Sequence, residues 1–260
     1  MHTRLDCIPC FARQALEAAR FAGDGEDSRR RILSEALLML AEDIDTGHSP
    51  PRTGLRLHRL VRRLSGHEDP YGGVNVAHME DDLHGDGVED PGAAVALALE
   101  KGLRAPLHGE ITLLREAGGR AEHILFLADN AGEIVVDRLL VERLPAGRVT
   151  VAVRGRPVLN DATLADAAAA GMDQVAAVVD NGSDAPGTLL EDCSSVFRKA
   201  FAEADVVLAK GQGNYESLSE TAADVFFLFN VKCPLVAVHS GLPEGDHALL
   251  RSAARRAGSA

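Results

Sequence analysis

A chain of 260 residues is long enough for one sizeable α/β unit with a smaller appendage. Its 46% hydrophobic and 25% charged residues match ordinary globular composition, and no apolar run approaches the ~20 residues that span a bilayer, so no membrane partner is expected. A formal net charge of −12 repels polyanions, and with no Trp and two Tyr there is little to stack on bases, so nucleic acid is not an expected partner.

The start, MHTRLDCIPC, lacks the apolar stretch of a secretory signal. The four cysteines, Cys7, Cys10, Cys193 and Cys233, are too few and too scattered for a disulfide framework. A cytoplasmic protein with reduced thiols is expected. Cys7 and Cys10 form a C-x-x-C pair that reads as structural or redox-responsive, because a zinc site would need two more ligands.

From about residue 11 to 64, apolar positions recur at helical spacing, as in Ile32, Leu33, Ala36, Leu37 and Leu40, which predicts helices. Residues 65 to 92, rich in Gly, Asp and His and broken by Pro70 and Pro91, read as a long connection. Helices are expected over Gly92–Gly102 and over Leu107–Ala117, the second stopped by Gly118 and Gly119. From residue 123 the texture changes. The runs HILFLAD, RVTVAVRG, QVAAVVDNG, ADVVLAKG and CPLVAVHSG predict strands that alternate with helices, one of them the alanine-rich Asp161–Ala170. Such alternation builds βαβ units and a mainly parallel sheet. A helical N-terminal domain over residues 1–105 and an α/β core over 106–260 are therefore expected.

Ligands of open parallel sheets sit outside the carboxyl ends of the strands, where loops and helix N-termini converge. The first predicted strand ends in Asp129, Asn130, Ala131, Gly132 and Glu133. An Asp or Asn there can cap the next helix, or the carboxylate and amide oxygens can ligate a hard divalent cation. The second ends in Arg154, Gly155, Arg156, Pro157, Val158, Leu159, Asn160 and Asp161, again with an Asn-Asp pair before a helix. Two neighbouring strand ends that each supply an acid raise the metal reading above capping. The fourth ends in Lys210, Gly211, Gln212, Gly213 and Asn214, where glycines let backbone N–H groups approach a phosphate. Neither a dinucleotide fingerprint nor a P-loop is present.

Taken together and in order, DNAGE, RGRPVLNDAT and ADVVLAKGQGNYESL, with DCIPC near the start and DPYGGVN before the core, resemble the DUF89 or ARMT1-like damage-control phosphatases, in their compact archaeal and bacterial branch. The resemblance runs from residue 6 to about 240. It implies a Rossmann-like three-layer α/β core with a helical N-terminal part, and divalent-metal-dependent hydrolysis of a small phosphorylated metabolite, such as a sugar phosphate. It further implies that Asp129, Asn130 and Asp161 ligate the metal (Mn²⁺, Mg²⁺, Co²⁺ or Ni²⁺) and that Lys210 contacts phosphate. Asn214, Asn160, Arg154 and Glu133 lie in the same motifs and are carried over as substrate-side residues. The chain departs from the family pattern in one place: EKGLRAPLHGEI stands where a Gly-Asn-x-x-Asp segment usually precedes the core.

This reading makes Asp129, Asp161 and Lys210 the catalytic set and metal-activated water the nucleophile, since no D-x-D-x-[TV] segment offers an aspartyl nucleophile at a strand end. The alternatives are a non-catalytic phosphometabolite-binding module and a methyltransferase. A binder of anions gains nothing from two strand-end acids without a metal. A methyltransferase would want a glycine-rich loop after the first strand, where DNAGE has a single glycine.

Overall fold

The computed structural model describes residues 1–42, 47–71, 100, 104, 106–109 and 111–252. Its N-terminal part consists of α1 (Ile8–Ala22), α2 (Glu26–Glu42) and α3 (Pro50–Ser65). Prolines open α1 and α3 in the first turn, where the missing N–H has no intrahelical partner to lose. Gly66 closes α3 in the left-handed region at φ 72 and returns its N–H to the Arg62 carbonyl. The helices bury a core of their own. Ala15, Ala18, Ala19 and Ala22 of α1 present a small-residue seam that lets Ile32 and Ala36 of α2, and Leu57, Leu60 and Val61 of α3, pack closely.

The remaining strands are β1 (Leu107–Gly109), β2 (Ile124–Leu127), β3 (Val149–Val153), β4 (Ala177–Asp180), β5 (Val206–Lys210), β6 (Val225–Asn230) and β7 (His247–Arg251). They form one sheet in the order β1-β7-β6-β5-β2-β3-β4, in which the β6–β7 pair is antiparallel and the other pairs are parallel. The helices between them are α4 (Ile111–Arg120), α5 (Ile134–Val141), α6 (Leu164–Ala169), α7 (Ser195–Glu203), α8 (Gln212–Leu218) and α9 (Pro234–Ser240). The period-2 alternation of side chains divides the sheet into two faces. Ile124 and Phe126 of β2 join the core beneath α5 and α6, whereas Leu125 and Leu127 face the core that holds Phe197, Phe201, Tyr215, Leu218 and Val236 of α7, α8 and α9. Both faces are thus covered, which is why the strands read as nearly continuous apolar runs.

Four predicted strands fall where expected, but CPLVAVHSG is a helix, α9. Its valines suggest a strand, yet Pro234 opens it in the first turn and Gly241 terminates it at φ 74, which are helix boundaries. The strands beside it are instead β6, VFFLFN, and β7. The stretch Leu107–Ala117 divides into β1 and α4, and α4 runs through Gly118 and Gly119 to Arg120. Gly109, at φ 129, lies so close to the Leu249 carbonyl that a Cβ would stand 2.0 Å from it, which fixes β1 against β7. The alanine-rich helix begins at Leu164, capped by a reciprocal Thr163–Asp166 box, and not at Asp161. The helix expected over Gly92–Gly102 lies, Glu100 apart, outside the described residues. No described helix is long and apolar enough to cross a membrane.

His58 on α3 is fully buried, with Nδ1 2.6 Å from the Tyr71 hydroxyl and the rings edge to face. It ties the DPY element, Asp69 to Tyr71, back onto the helical core. Burial, reinforced by Arg62, pushes the His58 imidazole down to about 4. A histidine whose folded pKa is depressed contributes stability that is present above its unfolded pKa of about 6.5 and is lost as pH falls toward 4, here up to about 3 kcal/mol. The stability deficit of His58→Gln relative to the native chain should therefore shrink between pH 6.5 and 4 in paired thermal melts; a constant deficit would show that His58 does not titrate in this way.

Candidate metal and phosphate site

The strand order creates a crevice. From β2 the chain proceeds to β3 and β4 on one side, and from β5 to β6 on the other, so the loops leaving the adjacent ends of β2 and β5 diverge. Leu127 pairs with Ala209, which brings Asp129, two residues on, level with Gly211. The Asp129 carboxylate lies directly over the Gly211 Cα: a Cβ there would stand 1.9 Å from Asp129 Oδ2, and φ is +77. Only glycine admits both the backbone and the neighbour.

Asp161 reaches the same point by a fold-back of the loop after β3. The Arg154 N–H donates to the Ala162 carbonyl (2.9 Å), the Ala162 N–H to the Asp129 carbonyl (2.7 Å) and the Ala131 N–H to the Asn160 carbonyl (2.8 Å). Asn130 and Asp161 thereby face each other in an isolated antiparallel bridge. Leu159, at the turn, takes a left-handed φ of 50, a strain for a γ-branched residue that the surrounding hydrogen bonds hold in place. Neither Asp129 nor Asn130 caps α5 through its side chain, so the capping alternative does not describe them.

The crevice carries more acid than base. Arg154, 3% exposed, donates from Nε to Asp161 Oδ2 at 2.6 Å and approaches Asp129 Oδ1 at 3.8 Å. Lys210 Nζ lies 2.9 Å from Glu133 Oε2 and 2.7 Å from Asp137 Oδ1. Four carboxylates thus share Arg154 and Lys210, with Lys232 near enough to lower the Asp129 and Asp161 pKa values in part. Burial, and then the negative charges of Asp161 and Glu133, push the Asp129 carboxyl up to about 8. Burial pushes Asp161 up as well, against the pull of Arg154. Although burial opposes both charges, Glu133 is held below its ordinary value by Lys210, and the Lys210 ammonium is held above its own by Glu133 and Asp137.

Asp129, Asn130, Glu133, Arg154, Asp161, Lys210 and Asn214 of the predicted set all converge here, but two of them face inward. Asn214 is fully buried; its Oδ1 accepts from Thr188 Oγ1 (2.8 Å) and from Arg154, and its Nδ2 donates to the Lys210 and Ala128 carbonyls (2.7 and 3.3 Å). Arg154 is likewise spent on Asp161, Asn214 and Thr188. Both hold the strand ends together from beneath. Asn160 lies at the rim, contributing its backbone carbonyl to Ala131. Asp137 and Thr188 were not among the predicted residues. Asp137 stands one helical turn after Glu133, the one acid within IVVDRLLV, and that spacing is the signal that could have revealed it. Thr188 has no local signal.

A divalent cation fits this arrangement: two adjacent carboxylates, Asp161 buried and Asp129 half-buried, repel each other, and the Asn130 amide, which donates to Glu133 Oε1 at 2.8 Å, leaves its oxygen as a third hard donor. Among the described residues no three His, Cys, Asp or Glu side chains gather as a metal-holding group. Cys7 and Cys10 lie apart from these carboxylates as free thiols, accepting from the Arg4 N–H (3.5 Å) and the Gln14 amide (3.7 Å).

The chain matches the model of the damage-control phosphatase ARMT1-like domain over residues 3–84 and 84–248. It belongs to that family. Its relatives include an uncharacterized protein of Methanocaldococcus jannaschii, 30% identical over 95% of this chain and 94% of the relative, and a damage-control phosphatase of Pyrococcus horikoshii, 30% identical over 97% and 99%. A damage-control phosphatase of Archaeoglobus fulgidus is 29% identical over 92% and 96%. The crystal structure of a DUF89 family protein from Pyrococcus horikoshii superposes with a TM-score of 0.85 at 28% identity, covering 97% of this chain and 99% of that one.

Gly211→Ala forces Asp129 off its seat and the backbone out of the left-handed region. A loss of about 2 kcal/mol is expected, which lowers Tm by roughly 4–8 °C in a chain of this size. Calorimetry of the metal-free variant checks this, and an unchanged Tm would mean that the close approach is relieved at no cost.

Proposed function

We propose that the chain is a metal-dependent phosphatase that hydrolyses a small phosphorylated metabolite at the Asp129–Asp161 crevice. The observation that carries the reading is the surplus of carboxylate over base at the switch point of the sheet, with Asp137 and Asp161 buried, in a family two of whose members bear the name damage-control phosphatase. Buried like charges are retained only where something repays their mutual repulsion, and a hard cation does so. Mg²⁺, Mn²⁺, Co²⁺ and Ni²⁺ all suit a donor set of two carboxylates and an amide.

In this reading Asp129, Asp161 and the Asn130 oxygen hold the cation. A divalent ion bound there supplies positive charge to the phosphoryl oxygens and acidity to water. Arg154 fixes the Asp161 carboxylate through Nε, and Asn214 clamps the ends of β2 and β5 through the Ala128 and Lys210 carbonyls. Lys210, held by Glu133 and Asp137, keeps one N–H of its ammonium for a phosphoryl oxygen and stays charged at any working pH. Its role is electrostatic: it neutralises charge that develops on the transferred phosphoryl group. The acids at the end of β2 also argue against an S-adenosylmethionine site, whose own carboxylate they would repel.

The test is phosphate release from an aryl phosphate by metal-stripped protein with single divalent cations restored. Stimulation that falls by at least about 100-fold in Asp161→Ala supports the assignment; activity independent of metal, or retained in that variant, overturns it. A second measurement separates repulsion from catalysis. Because Asp129 is crowded by like charge, Asp129→Asn should raise the Tm of the metal-free protein by a few degrees, on the order of 1 kcal/mol, and abolish the Tm rise that Mn²⁺ gives the native chain. A lower metal-free Tm in that variant would count against the charge-surplus argument.

A further inference from the structure

Cys7 and Cys10 stand within one helical turn. Cys7 ends the short 3₁₀ turn Leu5–Cys7 and, at φ −78 and ψ −18, leads directly into α1, where Pro9 and then Cys10 follow in the first turn. Helix geometry sets residues three apart at a Cα separation of about 5 Å, inside the range of roughly 4.4–6.8 Å that a disulfide spans. Both are free thiols, Cys7 half-buried and Cys10 exposed to solvent. Neither belongs to an apolar core among the described residues, so packing does not account for them.

The tertiary structure adds two groups that the sequence does not place beside them. Glu216 of α8 is 9% exposed; its Oε1 accepts from Gln212 Nε2 at 2.8 Å, and its other oxygen has no hydrogen-bond donor among the described residues. Burial pushes the Glu216 carboxyl up to about 7, against the Gln212 hydrogen bond and the charge of the Met1 amine. The Cys7 thiol is pushed up by burial, against the Arg4 N–H that donates to its Sγ at 3.5 Å, and further by the charges of Glu216, Cys233 and Cys10. Cys233, at the N-cap of α9, meets the same Gln212 amide at 3.7 Å. Its thiol is raised by burial and by Glu216 and Cys10, against the Val236 and Leu235 N–H groups.

Glu216 thus faces the inner of two thiols that share a helical turn, while the outer one is open to solvent. Thiol–disulfide exchange requires an accessible sulfur to attack, a second thiol within bonding reach to resolve the mixed disulfide, and an acceptor for the second thiol's proton. A buried carboxylate that titrates near neutrality suits the last of these, because it takes a proton readily and gives it up again. A purely structural pair would need neither the exposed sulfur nor the acid.

We propose that Cys7 and Cys10 form a redox-active dithiol that reduces an external disulfide, with Cys10 as the attacking sulfur, Cys7 as the resolving one and Glu216 as the acceptor of the Cys7 proton. Cys10 loses its proton to solvent and attacks one sulfur of the substrate; a protein–substrate S–S bond forms, the substrate's own S–S bond breaks, and its first half leaves as a thiolate. Cys7 then passes its proton to Glu216, directly or through one water, and attacks the Cys10 sulfur. The mixed bond breaks, the second half leaves as a thiolate, and a Cys7–Cys10 disulfide remains. The protein has given up two electrons and the substrate has gained them. The phosphatase reading is not needed for this step, because Asp129, Asp161 and Lys210 take no part in it.

In the test, the reduced full chain is mixed with oxidised glutathione at neutral pH, quenched by alkylation at timed intervals and cleaved with trypsin for mass spectrometry. The peptide Leu5–Arg13, LDCIPCFAR, carries both cysteines. The expected product is that peptide lighter by two hydrogens, reached through a glutathione adduct that accumulates on Cys10 in Cys7→Ser. Closure, read from the decay of the adduct, should slow at least about 10-fold in Glu216→Gln and recover in part in Glu216→Asp. Unchanged or faster closure in Glu216→Gln would mean that the carboxylate only repels the Cys7 thiolate, and overturns its role. Cys233→Ser removes the competing thiol and should close as the native chain does. A peptide that stays reduced, or a Cys10–Cys233 cross-link in place of the Cys7–Cys10 bond, overturns the proposal.

Discussion

The site hangs on one steric allowance: the carboxylate of Asp129 occupies the space in which any other residue at position 211 would carry its Cβ. Because β2 and β5 are adjacent parallel strands, their ends emerge side by side, and two side chains at the same level would collide. A glycine at φ +77 removes that conflict and turns the chain into α8, which presents Asn214 beneath the strand ends. From that contact the remaining geometry follows. Asn214 ties the Ala128 and Lys210 carbonyls, Arg154 reaches over it to Asp161, and Lys210 is left pointing toward Glu133 and Asp137.

Electrostatically the crevice is under-compensated in a way a purely structural network would not be. Removing one partner of a buried ion pair typically costs on the order of 3–5 kcal/mol, so Arg154 and Lys210 are needed merely to keep the carboxylates folded inside. They do not balance all of them. In the function proposed above, this residual repulsion at the carboxyl end of a parallel sheet is what a bound cation would offset. The same cost is avoided elsewhere: Arg251 forks onto Asp224 and stacks on Phe226, a satisfied pair at the antiparallel β6–β7 pairing.

The N-terminal helices reach the loops of the crevice through α3. One side of α3 packs Leu57, Leu60 and Val61 into the helical core, and the other turns Arg59, Arg62 and Arg63 toward the loops that follow β3 and β4. Arg62 bonds both the Pro157 carbonyl and Asp184, so the position of the loop carrying Asp161 depends on a helix more than ninety residues away in the chain. The helical appendage is in this sense a wall of the functional region.

The sequence by itself determined the local features: the amphipathic spacing of α1 to α3, the apolar runs of β2 to β5, and the acids, amides and lysine that cluster at Asp129, Asn160–Asp161 and Lys210. These are properties of consecutive residues, and periodicity and turn chemistry act over that range. It misled where local signals conflict, as in CPLVAVHSG, whose valines favour a strand while Pro234 and Gly241 bound a helix. Only the tertiary structure decided what each polar group does. Lys210 meets Asp137 across 73 residues and Arg154 meets Asn214 across 60, distances over which strand order and register alone set the partner. The same register turned Arg154 and Asn214 inward as supports and left Arg156, two residues away, lining a cavity that no stretch of sequence contains, because its walls come from three separate parts of the chain.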